Sequence, residues 1–470
     1  MAQSFLFYDL ETFGLDTKAD RIAQAAMIRT DMKLRIIQDP VVMMCSIAPD
    51  YLPTPSSCLI TGITPQQTLR EGIPEYEFIT RIRDEFMVRD TIVLGYNSIN
   101  FDDEFIRNCL YRNLYDPYER EWMNGCSRWD ILDLVRAVHD FRPEGINFLH
   151  KKDNGATSFK LVHLTEDNNI PQEGAHDALV DVYATINVAR LIREKQPALF
   201  DYYLRNRSKK TISAALDTVS MRPVLYTCQH FTSDHGSTRP IVPLTADSAR
   251  ESSIVCIDLT KDPEILLTDQ AFQALIRVPV NRCPYIAPIG LARNVTDIAE
   301  RLQVDVFRMD RKLSWIREYR NRIKTNVTGL MKEQQERFES EPAPSDPDLR
   351  IYCDSFLSKH DKSCLKTIHG CSPEARLRTS WHFDSDKLSK LLFRQVARNW
   401  PEVLSENEQL MWKSYCSTRL LQPFNSLPGY SAYMREISDK LESLGTTAQE
   451  KLVLVSLREY GQQLYEKIMH

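Results

Sequence analysis

The 470-residue sequence predicts an α/β protein built as three successive regions. Three observations carry this. Over residues 1–196, short apolar strand-like runs alternate with helical patterns. Over residues 197–345, strand-like runs are crowded with prolines at 240, 243, 279, 284 and 288, the texture of a small, turn-rich β module. Residues 349–470 show helical apolar stripes and few strand signals.

In the first region Phe5-Leu6-Phe7-Tyr8 and Thr91-Ile92-Val93-Leu94-Gly95-Tyr96 read as strands, with further strands over residues 23–30 and 41–47. Residues 178–194 carry apolar side chains at 179, 182, 183, 186 and 189, the spacing of an amphipathic helix. In the second region Val224-Leu225-Tyr226 and residues 253–258 read as strands, and residues 304–337 turn helical. Glu341-Pro342-Ala343-Pro344-Ser345-Asp346-Pro347 reads as a linker, because three prolines so close together cannot continue a helix. Beyond it, Leu388, Leu391, Leu392, Val396 and Ala397 form one apolar helix stripe and belong in a core.

Hydrophobic residues make up 43% and charged residues 26% of the chain, which excludes a disordered or collagen-like protein. The net charge is −5, so nucleic-acid binding would have to rest on local basic patches. Two exist, at residues 205–210 and 308–324. No run reaches the roughly 18 apolar residues of a membrane span. The start, Met1-Ala2-Gln3-Ser4, does not resemble a signal peptide. Eleven cysteines form no C-x-x-C pair, as expected for reduced thiols in a cytoplasm. Cys353, His360, Cys364, His369 and Cys371 cluster in sequence, but their spacing matches no standard zinc finger. There is no phosphate-cradling glycine loop and no G-x-S-x-G nucleophile.

The chemistry concentrates on acids. Asp9 and Glu11 end a four-residue apolar strand and, two apart, point to one face. Such a pair repels itself, and a hard divalent cation removes the conflict. Two more segments add acids. Asn97-Ser98-Ile99-Asn100-Phe101-Asp102-Asp103-Glu104 leads from a strand into an acidic helix start, where a structural role is also open. In His176-Asp177-Ala178-Leu179-Val180-Asp181, residues five apart on a helix sit about 140° apart. His176 and Asp181 converge only if His176 precedes the helix and Asp177 caps it.

The ordered set D-x-E, N-x-x-x-F-D, H-D-x-x-x-D resembles the DEDDh 3′→5′ exonuclease superfamily, whose fold is ribonuclease-H-like. Tyr8-Asp9-Leu10-Glu11-Thr12-Phe13-Gly14, Ile63-Thr64-Pro65, Tyr111-Arg112-Asn113 and Arg142-Pro143-Glu144-Gly145-Ile146-Asn147 narrow the likeness to the bacterial exonuclease I family. That resemblance implies an exonuclease domain over 1–196, an SH3-like β module with a basic helix over 197–345 and a helical C-terminal domain over 349–470. It implies two Mg²⁺ ions, with Mn²⁺ as the alternative, held by Asp9, Glu11, Asp102 and Asp181, and His176 as the base that takes a proton from water. The expected activity is 3′→5′ hydrolysis of single-stranded DNA to 5′-mononucleotides by a processive, monomeric cytoplasmic enzyme of DNA repair and recombination. A catalytically silent single-strand-binding module is the alternative of another class.

An unpaired strand needs aromatic faces and basic groups. Phe13, Phe101, Arg107, Arg112, Arg128 and Lys160 are the candidates near the acids. The resemblance further implies contact with the acidic C-terminal tail of the single-stranded-DNA-binding protein. Arg142 and Tyr202 are the candidates, since such a tail needs a guanidinium for its carboxylate and an apolar seat.

Overall fold

The structure, a computed structural model, describes residues 3–172, 177–231, 236–250, 252–340, 344–353 and 357–469. Its first region is built on five strands, β1 (Ser4–Thr12), β2 (Ile22–Asp31), β3 (Val41–Met44), β4 (Thr91–Gly95) and β5 (Ser127–Asp130), in the order β3-β2-β1-β4-β5. β1 is antiparallel to β2 and parallel to β4, and β5 runs parallel to β4. The near-continuous apolar run of β1 fits its central place, covered on both faces. Gly95 ends β4 where a Cβ would sit 2.6 Å from the Tyr8 carbonyl, so only a glycine lets the two strands close there.

Helix Ala178–Lys195 packs on β1 and β2 with Val182, Ile186 and Ala189 buried. Tyr183, counted in the expected stripe, points outward instead. It directly follows Val182, and neighbours on a helix lie about 100° apart, so both cannot face the sheet.

The second region holds an antiparallel sheet of β6 (Val224–Thr227), β7 (Thr238–Ala246), β8 (Ser253–Asp258), β9 (Leu275–Pro279) and β10 (Tyr285–Pro288), in the order β10-β6-β7-β8-β9. Pro240 lies inside β7 opposite Leu225, but others sit where a ladder tolerates them. Pro243 lies at a register shift between β7 and β8, and Pro279 and Pro288 end their strands. The third region is helical, and Leu388, Leu391, Leu392, Val396 and Ala397 are all buried in helix Lys387–Asn399.

The regions are not beads on a string. One apolar core runs from Phe5, Phe7 and Trp129 into Leu225 and Val242 of the β module. Another joins Phe13, Ala23 and Tyr51 to Leu391, Ile437 and Leu457 of the C-terminal helices. The proline-rich linker is pinned at its described end. Asp348 is buried between Arg394 and Arg398, and Arg394 also binds Asp346. Among the described residues no helix is long and apolar enough to cross a membrane. All eleven cysteines are free.

Candidate active site

β1 delivers Asp9 and Glu11 at its C-terminal end, and helix Ala178–Lys195 delivers Asp181 in its first turn. The helix start is fixed by Asp177, whose carboxylate accepts the Leu179 N–H at 2.9 Å and the Val180 N–H at 3.4 Å. Ala178 N–H also donates to Gln24 Oε1 on β2 at 3.4 Å, opposite Glu11 in the ladder. Asp9, Glu11 and Asp181 each bring a carboxylate oxygen within 4.8 Å of the others. Among the described residues this is the one group of such side chains placed to hold a metal, so the Cys353-to-Cys371 cluster does not assemble into a site there. Gln172 Nε2 orients Asp181 by donating to Oδ1 at 2.6 Å.

Asp102 is the first residue of helix Asp102–Arg112 and is buried. The backbone N–H of Leu10, between the two β1 acids, favours its charged form against burial. The turn that carries it is tied down by Asp130, which accepts from the Asn97 and Ile99 N–H groups, each at 3.0 Å, and caps the next helix through Leu132. Asn97 takes φ +65, a left-handed conformation that asparagine tolerates.

The electrostatics are those of crowded acids. Burial, then Asp102 and Asp181, raise Asp9 well above the carboxylate range. Burial, then Asp9, Asp181 and Asp177, push Glu11 up to about 9. Burial, then Asp103 and Asp130, raise Asp102. The charged neighbours that act on Glu11 are all acidic, so this donor set fits hard divalent cations.

Asp103 behaves oppositely. Burial favours its neutral form, but Arg120 and Arg128 hold it well below the usual carboxylate range. It accepts from Tyr8 Oη at 2.7 Å, Arg120 at 2.6 Å and Arg128 at 2.7 Å. It is therefore more than a helix-start acid. It locks the Asp102 helix to β1.

His176 lies outside the described residues. The described chain resumes at Asp177, which caps the helix that carries Asp181.

Several strand-contact expectations need correction. Arg107, Arg112 and Arg128 are buried and neutralise acids. Arg107 pairs with Glu104 and Glu121, Arg112 with Glu75 at 2.8 Å, and Arg128 with Asp103 and Glu121. Phe13 is 1% exposed, inside the core shared with the C-terminal helices, and cannot meet a base. Phe101 is half-buried and edge-on to Phe105, and Lys160 is exposed. The basic patches also divide. Arg317 and Arg320 donate to carbonyls of Met221, Thr218 and Val219 within the second region, and Arg207 turns to Ser127.

A cavity of about 680 Å³ opens between the first region and the β module, with Asp130, which ties down the Asp102 turn, in its wall. Asn100, Arg250, Arg277, Arg282 and Tyr352 line it. Apart from Asn100, which lies in the segment leading to Asp102, no motif marks these residues in the sequence, because they come from three regions and meet only in the fold. A second cavity, of about 500 Å³, is lined by Arg142, Leu199, Tyr202, Pro288 and Leu291. It brings together the two residues expected to hold an acidic tail.

A ribonuclease-H-like sheet carrying clustered acids, followed by a small β module and a helical domain, defines a three-domain exonuclease. Family models agree, the Exonuclease model matching residues 6–189, the Exonuclease I SH3-like domain 207–333 and the Exonuclease I C-terminal domain 345–464. The chain belongs to the exonuclease I family and is a nuclease. It is 36% identical over 480 residues to exodeoxyribonuclease I of Buchnera aphidicola subsp. Schizaphis graminum, covering 99% of this chain and 97% of that one. It is 35% identical over 481 residues to exodeoxyribonuclease I of Escherichia coli, covering 98% of each. The solved exonuclease I of Methylocaldum szegediense superposes with a TM-score of 0.91 at 39% identity, covering 98% of this chain and 100% of that one. E. coli exonuclease I in complex with a dA16 oligonucleotide gives 0.90 at 33% identity, again over 98% and 100%.

Proposed function

We propose that the chain removes nucleotides one at a time from the 3′ end of single-stranded DNA, releasing 5′-mononucleotides by metal-assisted hydrolysis. The observation that carries this is the convergence of Asp9, Glu11 and Asp181 within 4.8 Å, with Asp102 close enough to raise Asp9. In this reading Asp9 would be shared by two cations, Glu11 would support the one near the scissile phosphate, and Asp181 and Asp102 would each help hold one. Two bound cations, Mg²⁺ or Mn²⁺, supply charge stabilisation for the attacking and leaving oxygens of an in-line displacement. His176 takes the proton of the attacking water, a task suited to an ordinary imidazole pKa near 6.5. Gln172 aims Asp181, and Asp103 anchors the turn that presents Asp102.

The interdomain cavity, with its arginines and Tyr352, supports a strand that passes between the first region and the β module before reaching the acids. Enclosure of that kind favours processive digestion by a monomer, in repair and recombination in the cytoplasm. The Arg142–Tyr202 cavity supports docking of the acidic C-terminal tail of a single-stranded-DNA-binding protein, guanidinium to carboxylate and apolar seat to side chain.

Digestion of 5′-labelled oligonucleotides tests the reading. Stepwise shortening in Mg²⁺, blocked by EDTA and by a 3′ cap, is expected on single-stranded DNA and not on matched RNA or duplex. Activity that persists in EDTA overturns it. Binding without cleavage in Mg²⁺ would instead favour the silent binding module.

A further inference from the structure

Two consecutive acids follow Asp102, and they are held from different sides. Asp103 is gripped inside the first region by Tyr8, Arg120 and Arg128. Glu104 is gripped from outside it. Arg282, in the loop between β9 and β10, donates to Glu104 Oε1, and Tyr352, from the segment leading into the C-terminal helices, donates through its hydroxyl to Oε2. Arg107, one turn on, supports Oε1 at 2.8 Å. The same loop is seated by Arg128, whose Nη2 donates to the Asn281 carbonyl at 2.9 Å.

Successive residues on a helix project about 100° apart. The body of helix Asp102–Arg112 is buried and held within the first region by Arg107 to Glu121 and Arg112 to Glu75. At its first turn, which aims Asp102, two further anchors pull in different directions. The first region supplies the one on Asp103, and the two appended regions supply the one on Glu104, with Arg107 beside it.

We propose that Glu104 is a positioning residue, and that the Arg282–Glu104–Tyr352 clamp lets the β module and the C-terminal domain set the place of Asp102 without touching the reacting atoms. The inference rests on the reading of Asp102 as an acid of the metal site. Arg282 and Tyr352 also line the interdomain cavity, so a strand lying there meets the clamp directly. The regions expected to hold the strand would thus also tune the site that cuts it.

The test uses the full chain and a substrate too small to reach the cavity, the p-nitrophenyl ester of thymidine 5′-monophosphate. Mn²⁺ affinity, read by electron paramagnetic resonance without substrate, is the readout independent of turnover. Arg282→Ala, Tyr352→Phe and Glu104→Gln are each expected to weaken Mn²⁺ binding and to lower kcat on the ester by about 10-fold, with KM little changed. Adding Tyr352→Phe to Glu104→Gln should cost nothing further, because both act through one carboxylate. Tyr352→Phe deletes one hydroxyl from a half-exposed ring, so it tests the clamp without threatening the fold. Unchanged Mn²⁺ affinity and ester turnover in Arg282→Ala and Tyr352→Phe would overturn the clamp and leave those residues as strand contacts. If Asp102→Asn itself leaves Mn²⁺ affinity unchanged, the reading of Asp102 falls, and the clamp with it.

Discussion

Arg128 donates to Asp103 Oδ2 at 2.7 Å beneath the acid cluster, with both side chains nearly fully buried. This pair separates two adjacent aspartates electrostatically. Asp103 is surrounded by guanidinium groups and stays ionised, whereas burial and neighbouring acids push Asp102 toward its neutral form until a cation arrives.

Removing Arg128 leaves Asp103 and Glu121 short of a partner in the interior. Arg128→Ala should therefore destabilise the chain by about 3 kcal/mol or more. Urea unfolding would measure it. The salt dependence of oligonucleotide binding should not change, because Arg128 neutralises protein acids and not phosphates. A variant of full stability with a shallower salt slope would return Arg128 to the strand interface.

The Asp9 carboxyl is raised by burial first and then by both Asp102 and Asp181. Asp9→Asn should reduce cleavage by well over about 100-fold, beyond the loss typical of a residue that only orients a ligand. It should also raise the melting temperature in EDTA, since an amide escapes the cost that a carboxyl raised on folding carries, whether it is buried charged or takes up a proton. Thermal melts with and without Mg²⁺ check both halves. Wild-type turnover would show that Asp9 does not serve the site.

The acids were legible in the sequence for a physical reason. A strand's period of two puts Asp9 and Glu11 on one face, and Asp177 caps a helix in a way its neighbours announce. The arginines were not legible. Arg107, Arg112 and Arg128 look like surface cations until Glu104, Glu121, Glu75 and Asp103 are seen to fold against them. Phe13 misled similarly, because its burial is completed by helices more than three hundred residues away in the chain. The strands β1 to β4, β6 and β8 followed local pattern, while the strand orders and every contact between regions depended on pairings that no local pattern carries.

Arg250 is exposed at the rim of the 680 Å³ cavity. If a strand lies there, Arg250→Ala should weaken binding and reduce the slope of log K against log salt by about 0.7, the effect of one phosphate contact on a single strand. Fluorescence anisotropy over a salt series measures it. An unchanged slope would place the strand elsewhere.

Arg142→Ala should abolish capture of a labelled acidic peptide ending in a free carboxylate, without altering digestion of naked oligonucleotides. Arg142 is exposed on a cavity distinct from the acid cluster, so the two readouts are separable. Amidating the peptide's C-terminus should mimic the substitution, because it removes the charge that the guanidinium recognises. Equal binding of amidated and free peptides would exclude this mode.

Glu75 ties elements of the first region together from within, accepting from Arg112 at 2.8 Å and from Asn113 at 2.9 Å, with Arg21 at 3.9 Å. Burial favours its neutral form, but Arg112 and Arg21 hold it down to about 2, against an ordinary value of 4.5. A carboxyl depressed on folding stabilises the native state above its unfolded pKa, and that contribution disappears as pH falls through the folded value. The window is thus from 4.5 down to about 2. At pH 7, Glu75→Gln should cost on the order of 3 kcal/mol, the size of the depression converted at 1.36 kcal/mol per unit. The stability gap between wild type and variant should shrink across that window, because protonation deprives wild-type Glu75 of the same charge. Urea midpoints at neutral pH and at two points below 4.5 would show the convergence. Parallel curves that keep a constant gap would mean that Glu75 acts through its hydrogen-bond geometry and not its charge.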